Sequence, residues 1–345
     1  MYIYSSSSNM DKASNIYTPV WFMRQAGRYL PEYKKIRKTE KNFLDLCFNP
    51  KKAATISLQP IERFDFDYII LFSDILVIPN ALGQKVSFKE SIGPILDPIN
   101  GLQDLKQLNI NESLKTLQPV FETIKLIKEK EKKKELIGFC GGAFTVLTYM
   151  IQGGSSKNHL LIKEKVKTER QKLLEIVEVL VEISSMYLNT QIKSGVNSIM
   201  IFESWAGLLE GQDYIDFIIK PNKSLINKVK SKYPEVPIVT FPRGSGDKIL
   251  DFIESVPCNV VSLDKTFPKS LLKIAKEKDI TLQGNLDPLI LVEGGQNLES
   301  EVKKILLTFK ENKHIFNLSH GILPITPIKN VTKTLEIIRS FNETR

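Results

Sequence analysis

The chain has 345 residues, 42% of them hydrophobic, and its 48 Lys plus Arg outnumber its 39 Asp plus Glu. This length can bury a large core, which suits either two ordinary domains or one large α/β barrel. The three cysteines, Cys47, Cys140 and Cys258, never form a CxxC pair, which argues against a disulfide framework or a zinc knuckle and favours reduced thiols.

The net charge of +9 does not by itself indicate a nucleic-acid-binding protein. Much of the excess is Lys in mixed runs such as KLIKEKEKKKE at 125–135, which are typical of the solvated face of a helix. No aromatic residues are interleaved with these lysines, and no nucleic-acid-binding module is recognisable. No run of 18 apolar residues is present either. We therefore expect a cytoplasmic protein with neither nucleic acid nor a membrane as a partner.

The N-terminal residues 1–17 are rich in Ser and lack an apolar segment, which predicts a frayed tail rather than a secretory peptide. The residues from there to 60 precede the first predicted strand and suit a helical or irregular cap. No internal repeat or linker divides the chain after the tail, so we expect one domain over 18–345.

Seven short apolar runs rich in Ile, Val and Phe predict buried parallel strands, because both faces of such strands are covered. A segment at 84–98 resembles a β-hairpin inserted after the first strand. An eighth strand is not evident. The seven runs are DYIILFSD (67–74), ELIGFCGG (135–142), NSIMIFES (197–204), VPIVTFPRG (236–244), NVVSLD (259–264), TLQGN (281–285) and HIFNLSHG (314–321).

Amphipathic stretches at 170–195, 246–256, 268–279 and 330–341 predict helices between and after these strands. Alternating strands and helices are typical of a (β/α)8 barrel or a doubly wound sheet, and we favour the barrel. The active site of such a barrel lies at the carboxyl ends of its strands. The residues found there are Asp74, Gly141, Gly142, Glu203, Ser204, Arg243, Asp264, Asn285 and His320.

Several of these residues also have a purely structural interpretation. Asp74 could be a helix N-cap, and His320 could be a turn residue bonded to backbone. Glu203 could pair with a buried arginine as scaffold. Tyr149 lies where the apolar face of a helix would run, so it could equally belong to the core.

The segment PVWFMRQAGRYLPEYKKIRK at 19–38 contains three of only eight arginines in this Lys-rich chain: Arg24, Arg28 and Arg37. The planar guanidinium grips a carboxylate or phosphate through two parallel hydrogen bonds, a geometry that Lys cannot reproduce. The segment therefore indicates recognition of an acidic ligand. A scaffold role, in which these arginines bridge to carboxylates of the protein, remains the alternative.

Signals for metal binding or nucleophilic catalysis are weak. The three histidines are His159, His314 and His320, and none has a neighbouring set of ligands at zinc spacing. There is no GxSxG elbow, no P-loop and no GxGxxG after a strand. An enzyme of this composition is expected to work by acid–base and electrostatic means, without a cofactor.

The segment MRQAGRYLPEY resembles a signature of the uroporphyrinogen decarboxylase family. LFSDILVIPNALG, LTYMIQGGSSK, IFESWAG, QGNLDP and NLSHGILP follow in that family's order, so the resemblance covers about residues 18–340. It implies a distorted (β/α)8 barrel, a homodimer with facing clefts, and no metal or organic cofactor. The implied reaction converts the four acetate side chains of uroporphyrinogen III to methyl groups, giving coproporphyrinogen III and CO2 in haem biosynthesis.

The resemblance also assigns roles by position. Asp74 matches the aspartate that accepts hydrogen bonds from the pyrrole N–H groups, and Asp74, Arg24 and Arg28 are the implied catalytic residues. Phe72 and Phe202 match an apolar wall of the cleft. The implied substrate-binding residues are Arg24, Gln25, Ala26, Gly27, Arg28, Asp74, Tyr149, Ser204, His320 and Phe202. The proton donor stays open among Arg24, Arg28, a substrate carboxyl group and a held water.

The sequence departs from the family pattern at three positions. Gly142 and Ala143 replace the usual Ala-Pro or a similar pair, and Lys265 replaces a usual Trp. Two other functions remain alternatives: a zinc- or corrinoid-dependent methyltransferase on the same barrel, and a non-catalytic tetrapyrrole-binding relative. The first needs a His-x-Cys pair with a later Cys, which this chain lacks.

Overall fold

The computed structural model describes residues 17–89, 92–156 and 158–344. Within these ranges, helices surround a sheet of seven parallel strands, and a two-stranded antiparallel hairpin lies apart from it. The strands are β1 (Tyr68–Ile70), β2 (Val86–Lys89), β3 (Gly93–Leu96), β4 (Glu135–Gly141), β5 (Ser198–Glu203), β6 (Ile238–Pro242), β7 (Val260–Ser262), β8 (Thr281–Leu286) and β9 (His314–Leu318).

The parallel sheet has the strand order β1-β4-β5-β6-β7-β8-β9, so strands that follow one another along the chain are neighbours in space. Every residue of β4 is buried, as expected for a strand covered by helices on one face and by the barrel interior on the other. Each of the seven predicted apolar runs coincides with one of these strands, and β8 extends one residue beyond its predicted run, to Leu286. The predicted hairpin is confirmed as β2 and β3, with Val86 paired to Leu96.

The helices occupy the connections between strands and confirm the four predicted amphipathic stretches. A π-helical segment, Ile215–Ile219, links two of the α-helices. The α-helices are α1 (Pro31–Arg37), α2 (Phe43–Cys47), α3 (Pro50–Arg63), α4 (Val77–Ala81), α5 (Ile110–Thr116), α6 (Gln118–Lys130), α7 (Ala143–Gln152), α8 (Leu160–Thr168), α9 (Arg170–Ser194), α10 (Gly211–Tyr214), α11 (Lys220–Lys230), α12 (Ile249–Ser255), α13 (Ser270–Glu277), α14 (Pro288–Glu293), α15 (Gly295–Thr308) and α16 (Ile328–Glu343).

The gap between the first and last strands is spanned by the N-terminal segment. Val20 forms a parallel bridge with Phe316 of β9, and the Phe316 N–H donates to the carbonyl of Pro19 at 2.8 Å. On the other side, the Asp67 N–H donates to the Val20 carbonyl at 3.0 Å, directly before β1. This short segment therefore takes the eighth position of a distorted barrel, where the sequence shows no strand.

Side chains reinforce this closure. Asp67 Oδ2 accepts the Val20 N–H at 2.6 Å and a hydrogen bond from Arg339 of α16 at 3.0 Å. Asp67 Oδ1 accepts the hydroxyl of Tyr17 at 2.8 Å. The rest of the predicted tail, residues 1–16, lies outside the described residues.

Trp21 is fully buried and donates its indole N–H to Gln283 Oε1 at 2.9 Å, so the same segment also fills the core. None of the helices in the described ranges combines the length and apolar character needed to cross a lipid bilayer.

Candidate active site

Arg24 lies between Asp74, which follows β1, and His320, which follows β9. The N-terminal segment that carries Arg24 occupies the ring position between these two strands. A Cβ atom on Gly321 would lie 2.4 Å from Arg24 Cδ, so the arginine stem rests directly on the backbone beside His320. The three residues come from distant parts of the sequence and meet at the carboxyl ends of neighbouring elements.

The backbone around Arg24 is unusual. Arg24 has a φ of 62°, in the left-handed region that a non-glycine residue adopts at a cost of about 1–2 kcal/mol. Gly27 approaches it so closely that a Cβ there would lie 2.8 Å from the Arg24 carbonyl oxygen. Only glycine fits at position 27 without moving this turn. Strained backbone of this kind concentrates at ligand-binding sites, which agrees with a functional role for the segment.

The residues flanking Arg24 hold the turn in place. The Met23 N–H donates to Asn317 Oδ1 at 2.9 Å, and the Ile322 N–H donates to the Met23 carbonyl at 2.9 Å. Gln25 is fully buried; its amide accepts the Phe22 N–H at 3.0 Å and donates to the Tyr68 carbonyl at 2.8 Å. The Gln25 side chain therefore anchors the segment and does not face the cleft.

Ala26 and Gly27 are also buried, whereas Arg24 and Arg28 are exposed. Neither guanidinium has a hydrogen bond or an ion pair with any residue in the described ranges. Although the Arg24 side chain reaches solvent, the protein packed around it lowers its pKa, Asp74 and Tyr149 raise it again, and the like charge of Arg28 lowers it further. The arginine keeps its charge, and its hydrogen-bond donors have no acceptor in the described ranges.

Asp74 is the acidic residue of the site. Burial raises its carboxyl pKa from the ordinary 3.8 to about 6, against the opposing effects of the Leu76 N–H and Arg24. The Leu76 N–H donates to Asp74 Oδ1 at 2.8 Å, so Asp74 also has the capping-type contact expected from its structural interpretation. Its other carboxylate oxygen makes no hydrogen bond within the described part of the chain.

His320 lies near two positively charged residues, Arg24 and Arg243. Burial lowers its pKa to about 4, with further lowering by Arg24 and Arg243. The imidazole is therefore neutral near pH 7, and it can donate a hydrogen bond from one ring nitrogen and accept one at the other.

Tyr149, Ser204 and Phe202 are each half-buried near this end of the barrel. Tyr149 is on α7, its ring 6.2 Å from that of Trp205, and burial raises the pKa of its hydroxyl, so this group stays protonated. Ser204 follows β5 directly. Phe202 packs edge-on against Phe139 at 5.5 Å, as part of an apolar surface.

Two other residues lie elsewhere. Phe72 is 7% exposed and packs against Tyr33 and Phe43, each at 5.8 Å, so it belongs to the core beneath α1 and α2. The Arg37 guanidinium donates to the Glu40 carbonyl at 2.6 Å, so it is already engaged.

Glu203, at the end of β5, caps α7. The helix begins after Gly142, which has no side chain for capping, and Glu203 Oε1 accepts the Thr145 N–H at 2.8 Å and the Thr145 hydroxyl. Asn222 donates to Oε2 at 3.2 Å. Burial raises the Glu203 pKa to about 7. The alternative in which Glu203 pairs with a buried arginine is therefore not found among the described residues; its side-chain partners there are Thr145 and Asn222.

The departures from the family pattern have local explanations. A Cβ on Gly142 would lie 2.1 Å from Glu203 Oε2, so in this chain glycine leaves room for the capping carboxylate. Ala143 is the first residue of α7 and is buried. Lys265 is exposed and pairs with Asp287 at 2.7 Å, so it extends from the rim instead of filling the wall.

Arg243 follows β6 and influences both Arg24 and His320 electrostatically. The sequence places it among the strand-end residues, but the substrate-binding residues implied by the family resemblance do not include it. The sequence signal that could have indicated a functional role for Arg243 is that it is one of only eight arginines in a Lys-rich chain. No group of three His, Cys, Asp or Glu side chains in the described ranges is arranged to hold a metal ion.

The model of the uroporphyrinogen decarboxylase (URO-D) family matches residues 9–341. Proteins named uroporphyrinogen decarboxylase from Rickettsia africae (strain ESF-5) and Rickettsia conorii (strain ATCC VR-613 / Malish 7) are each 43% identical over 333 residues, covering 96% of this chain and 96% of the relative.

Among solved structures, a methyltransferase from Methanosarcina mazei superposes with a TM-score of 0.74 at 18% identity, covering 94% of each chain. A B12-independent methionine synthase from Shewanella sp. W3-18-1 reaches a TM-score of 0.53 at 11% identity, covering 86% of this chain and 87% of that one. At these identities the structural matches show the fold alone. The family match and the sequence relatives carry the assignment: the chain belongs to the uroporphyrinogen decarboxylase family.

Proposed function

We propose that this protein is a carboxy-lyase that converts the four acetate side chains of uroporphyrinogen III to methyl groups, yielding coproporphyrinogen III and CO2. Relatives that are 43% identical to this chain are named uroporphyrinogen decarboxylase, after this activity. The observation that supports the chemistry is the half-buried Asp74 carboxylate beside the unpaired guanidinium of Arg24. The Asp74 carboxylate suits a cation that develops during the reaction, and the Arg24 guanidinium suits the acidic arms of the substrate.

Substrate binding follows from charge and geometry. Uroporphyrinogen carries eight carboxylates, and Arg24 and Arg28 each offer a fork that binds a carboxylate through two hydrogen bonds. Because neither arginine has an acceptor within the described part of the chain, binding breaks no existing ion pair. We assign Gln25, Ala26 and Gly27 the role of holding the two arginines in position, since all three are buried.

The reaction needs a place for the electrons of the breaking C–C bond. Protonation of the ring carbon adjacent to the one that bears the acetate arm creates an iminium-like cation that is conjugated with the acetate-bearing carbon. Loss of CO2 sends the bonding pair into this cation and leaves an exocyclic methylene group. A proton added to that methylene, and the ring proton released, give the methyl group and restore the pyrrole. Each acetate thus exchanges CO2 for one net proton without an oxidant or reductant.

Asp74 is the group proposed to stabilise this cation. Its free oxygen would accept hydrogen bonds from the pyrrole N–H groups, which become more acidic as the ring gains positive charge. Charge arranged in advance for a transition state is commonly worth about 3–4 kcal/mol per interaction. Arg24 keeps Asp74 ionised because its positive charge lowers the Asp74 pKa.

Neutral groups complete the site. Tyr149, Ser204 and His320 are proposed to bond the acid arms, and His320 can do so without adding charge because its pKa is about 4. Phe202 is proposed as the apolar wall. The proton donor is left among Arg24, Arg28, a substrate carboxyl group and a held water, with Arg the poorest acid of these in water.

We further propose that the protein acts in the cytoplasm as a homodimer of one-domain subunits, each spanning residues 18–345, without a cofactor and without nucleic-acid partners. Sedimentation equilibrium would test the dimer: a mass near 39.3 kDa at micromolar concentration would contradict it. The methyltransferase neighbour shares the fold alone and supports no second function.

The proposed activity is tested by incubating the purified protein anaerobically with uroporphyrinogen III, without added metal or cofactor. The products are oxidised and separated by carboxyl count. A series of seven-, six-, five- and four-carboxyl porphyrins is expected. Return of the eight-carboxyl porphyrin alone, from protein shown to be folded, would contradict the decarboxylase and call for zinc analysis and methyltransferase assays.

A further inference from the structure

Arg243 occupies the position in the barrel ring opposite the Arg24 segment. Counting the segment as the eighth member, β6 is the fourth element from it in either direction. Arg243 follows Pro242, the last residue of β6, and its N–H donates to the Glu203 carbonyl at 3.1 Å. This bond fixes Arg243 beside Ser204, at the end of the barrel where the strand ends converge.

The backbone after Arg243 is also fixed. The Gly207 N–H donates to the Arg243 carbonyl at 3.0 Å, and the Gly244 N–H donates to Asp264 Oδ2 at 2.7 Å. Arg243 is therefore held between the loops that follow β5 and β7. Its position does not depend on a flexible surface loop.

The arginines in the described part of the chain form two groups, according to whether the guanidinium is bonded to another group of the protein. Three of those described have no hydrogen bond, ion pair or aromatic partner in the described ranges: Arg24, Arg28 and Arg243. The other four described arginines are engaged: Arg37 by the Glu40 carbonyl, Arg63 by Glu32, Arg170 by Asp213 and Asp216, and Arg339 by Asp65 and Asp67.

An unpaired guanidinium in a half-buried position is costly unless it has an anion to receive it. Asp264 lies at an adjoining strand end and its charge interacts with that of Arg243, but its Oδ2 accepts the Gly244 N–H, and no ion pair joins the two side chains in the described ranges. Arg243 is therefore placed like Arg24 and Arg28, with its donors free at the substrate end of the barrel.

Resting on the function proposed above, we propose that Arg243 is a further substrate-binding residue that holds a carboxylate arm of the tetrapyrrole on the side of the cleft opposite Arg24. A ring-shaped substrate with acid groups around its edge would then be gripped from two sides. Arg243 contacts a carboxylate both before and during the reaction, so it contributes to binding rather than to the chemical step.

The test compares Arg243→Gln and Arg243→Lys with wild type. Arg63→Gln is the matched control, because it removes the same charge from an exposed arginine paired with Glu32. In Arg243→Gln, the KM for uroporphyrinogen III should rise about tenfold or more, the value of one lost charge-assisted contact, with kcat within a few-fold. Arg243→Lys should fall between, and Arg63→Gln should match wild type.

Equilibrium binding of oxidised uroporphyrin III, which has the eight carboxylates but is not turned over, separates this inference from the reaction itself. Weaker binding by Arg243→Gln than by Arg63→Gln supports the inference even if wild type makes no coproporphyrinogen. Equal affinities and equal KM values for these two variants would overturn it, and so would a fall in kcat at constant KM. Thermal unfolding of each variant confirms that a folded protein is compared.

Discussion

The environment of Asp74 opposes the ionisation that its proposed role requires. Burial raises its pKa to about 6, and only the Leu76 N–H and Arg24 act against that rise. A carboxylate surrounded by low-dielectric protein is a stronger electrostatic partner for a cation than the same group in water. The site therefore combines a carboxylate whose pKa lies just below neutral pH with an arginine that keeps it ionised.

This balance predicts a pH dependence. Below pH 6 Asp74 is mostly protonated and cannot stabilise a cation, whereas above pH 6 it is ionised. The kcat/KM should therefore rise with pH through about 6 and then level off. His320, with a pKa of about 4, is neutral throughout pH 5–8 and should add no second limb. Initial rates measured from pH 5 to 8 at constant ionic strength would show this limb.

Two Arg24 variants test whether this pH dependence comes from the ionisation of Asp74. Arg24→Gln removes the positive charge that lowers the Asp74 pKa, so the limb should move to higher pH, whereas Arg24→Lys should leave it close to 6. A limb that does not respond to Arg24→Gln would indicate that another group titrates.

Among the helices, α7 depends on Glu203 of a neighbouring strand for its N-terminal cap. Its own N-cap residue, Gly142, supplies none. The same carboxylate accepts a hydrogen bond from the side-chain amide of Asn222. The backbone N–H of Trp205 donates to Thr145 Oγ1 at 3.2 Å. One buried acid thus joins the helix that carries Tyr149 to the loop that carries Ser204.

Glu203→Ala should lower the free energy of unfolding by about 1–3 kcal/mol, because it leaves several buried donors without an acceptor. Glu203→Gln should cost less, since its amide oxygen can still accept the Thr145 N–H. Urea unfolding at pH 7 measures both. Glu129→Ala, an exposed position on α6, is the control and should change stability by less than about 0.5 kcal/mol. Equal stabilities for Glu203→Ala and Glu129→Ala would contradict the capping role.

The strands of the parallel sheet and four of the helices could be predicted from the sequence because their signals are local. Most strands of this sheet lie in apolar runs, and α9 carries a helical pattern over its whole length. The eighth barrel position could not be predicted, because Val20 pairs through a single bridge and leaves no periodic pattern. Likewise, the identity of Gln25 does not reveal that its amide is used up inside the protein.

Arg243 illustrates the corresponding limit for the site. Its residue type and strand-end position are visible in the sequence, but the absence of an acceptor for its guanidinium within the described residues depends on how distant loops pack. Glu203 is a similar case: its strand-end position is clear, whereas its partners, Thr145 and Asn222, depend on the placement of two helices.

The barrel as a whole is closed by a segment that also carries Arg24 and Arg28. Asp67 is central to that closure, because its carboxylate accepts hydrogen bonds from the Val20 N–H, the Tyr17 hydroxyl and the Arg339 guanidinium. The stability of the closed barrel and the position of Arg24 are therefore coupled through a few residues of chain.

Asp67→Ala should destabilise the protein by about 2–4 kcal/mol, because it removes the acceptor of the Val20 N–H and of the Tyr17 hydroxyl and one of the anionic partners of the partly buried Arg339. It should also raise KM, since the segment that positions Arg24 loses its anchor. Asp65→Ala is the matched control: its side chain is 76% exposed and also pairs with Arg339, so it should cost under about 1 kcal/mol. Similar losses in both variants, measured by urea unfolding, would contradict a special role for Asp67 in closure.

The proposal that Asp74 stabilises the cation formed during decarboxylation is tested most sharply by comparing wild type with Asp74→Asn. Both are given uroporphyrinogen III anaerobically, and the porphyrins are counted by carboxyl number over time. We expect a folded variant whose kcat falls about 10²–10³-fold while KM changes little, because Asn keeps the shape of the residue but not its charge. Undiminished turnover by Asp74→Asn would show that the carboxylate does not have this role.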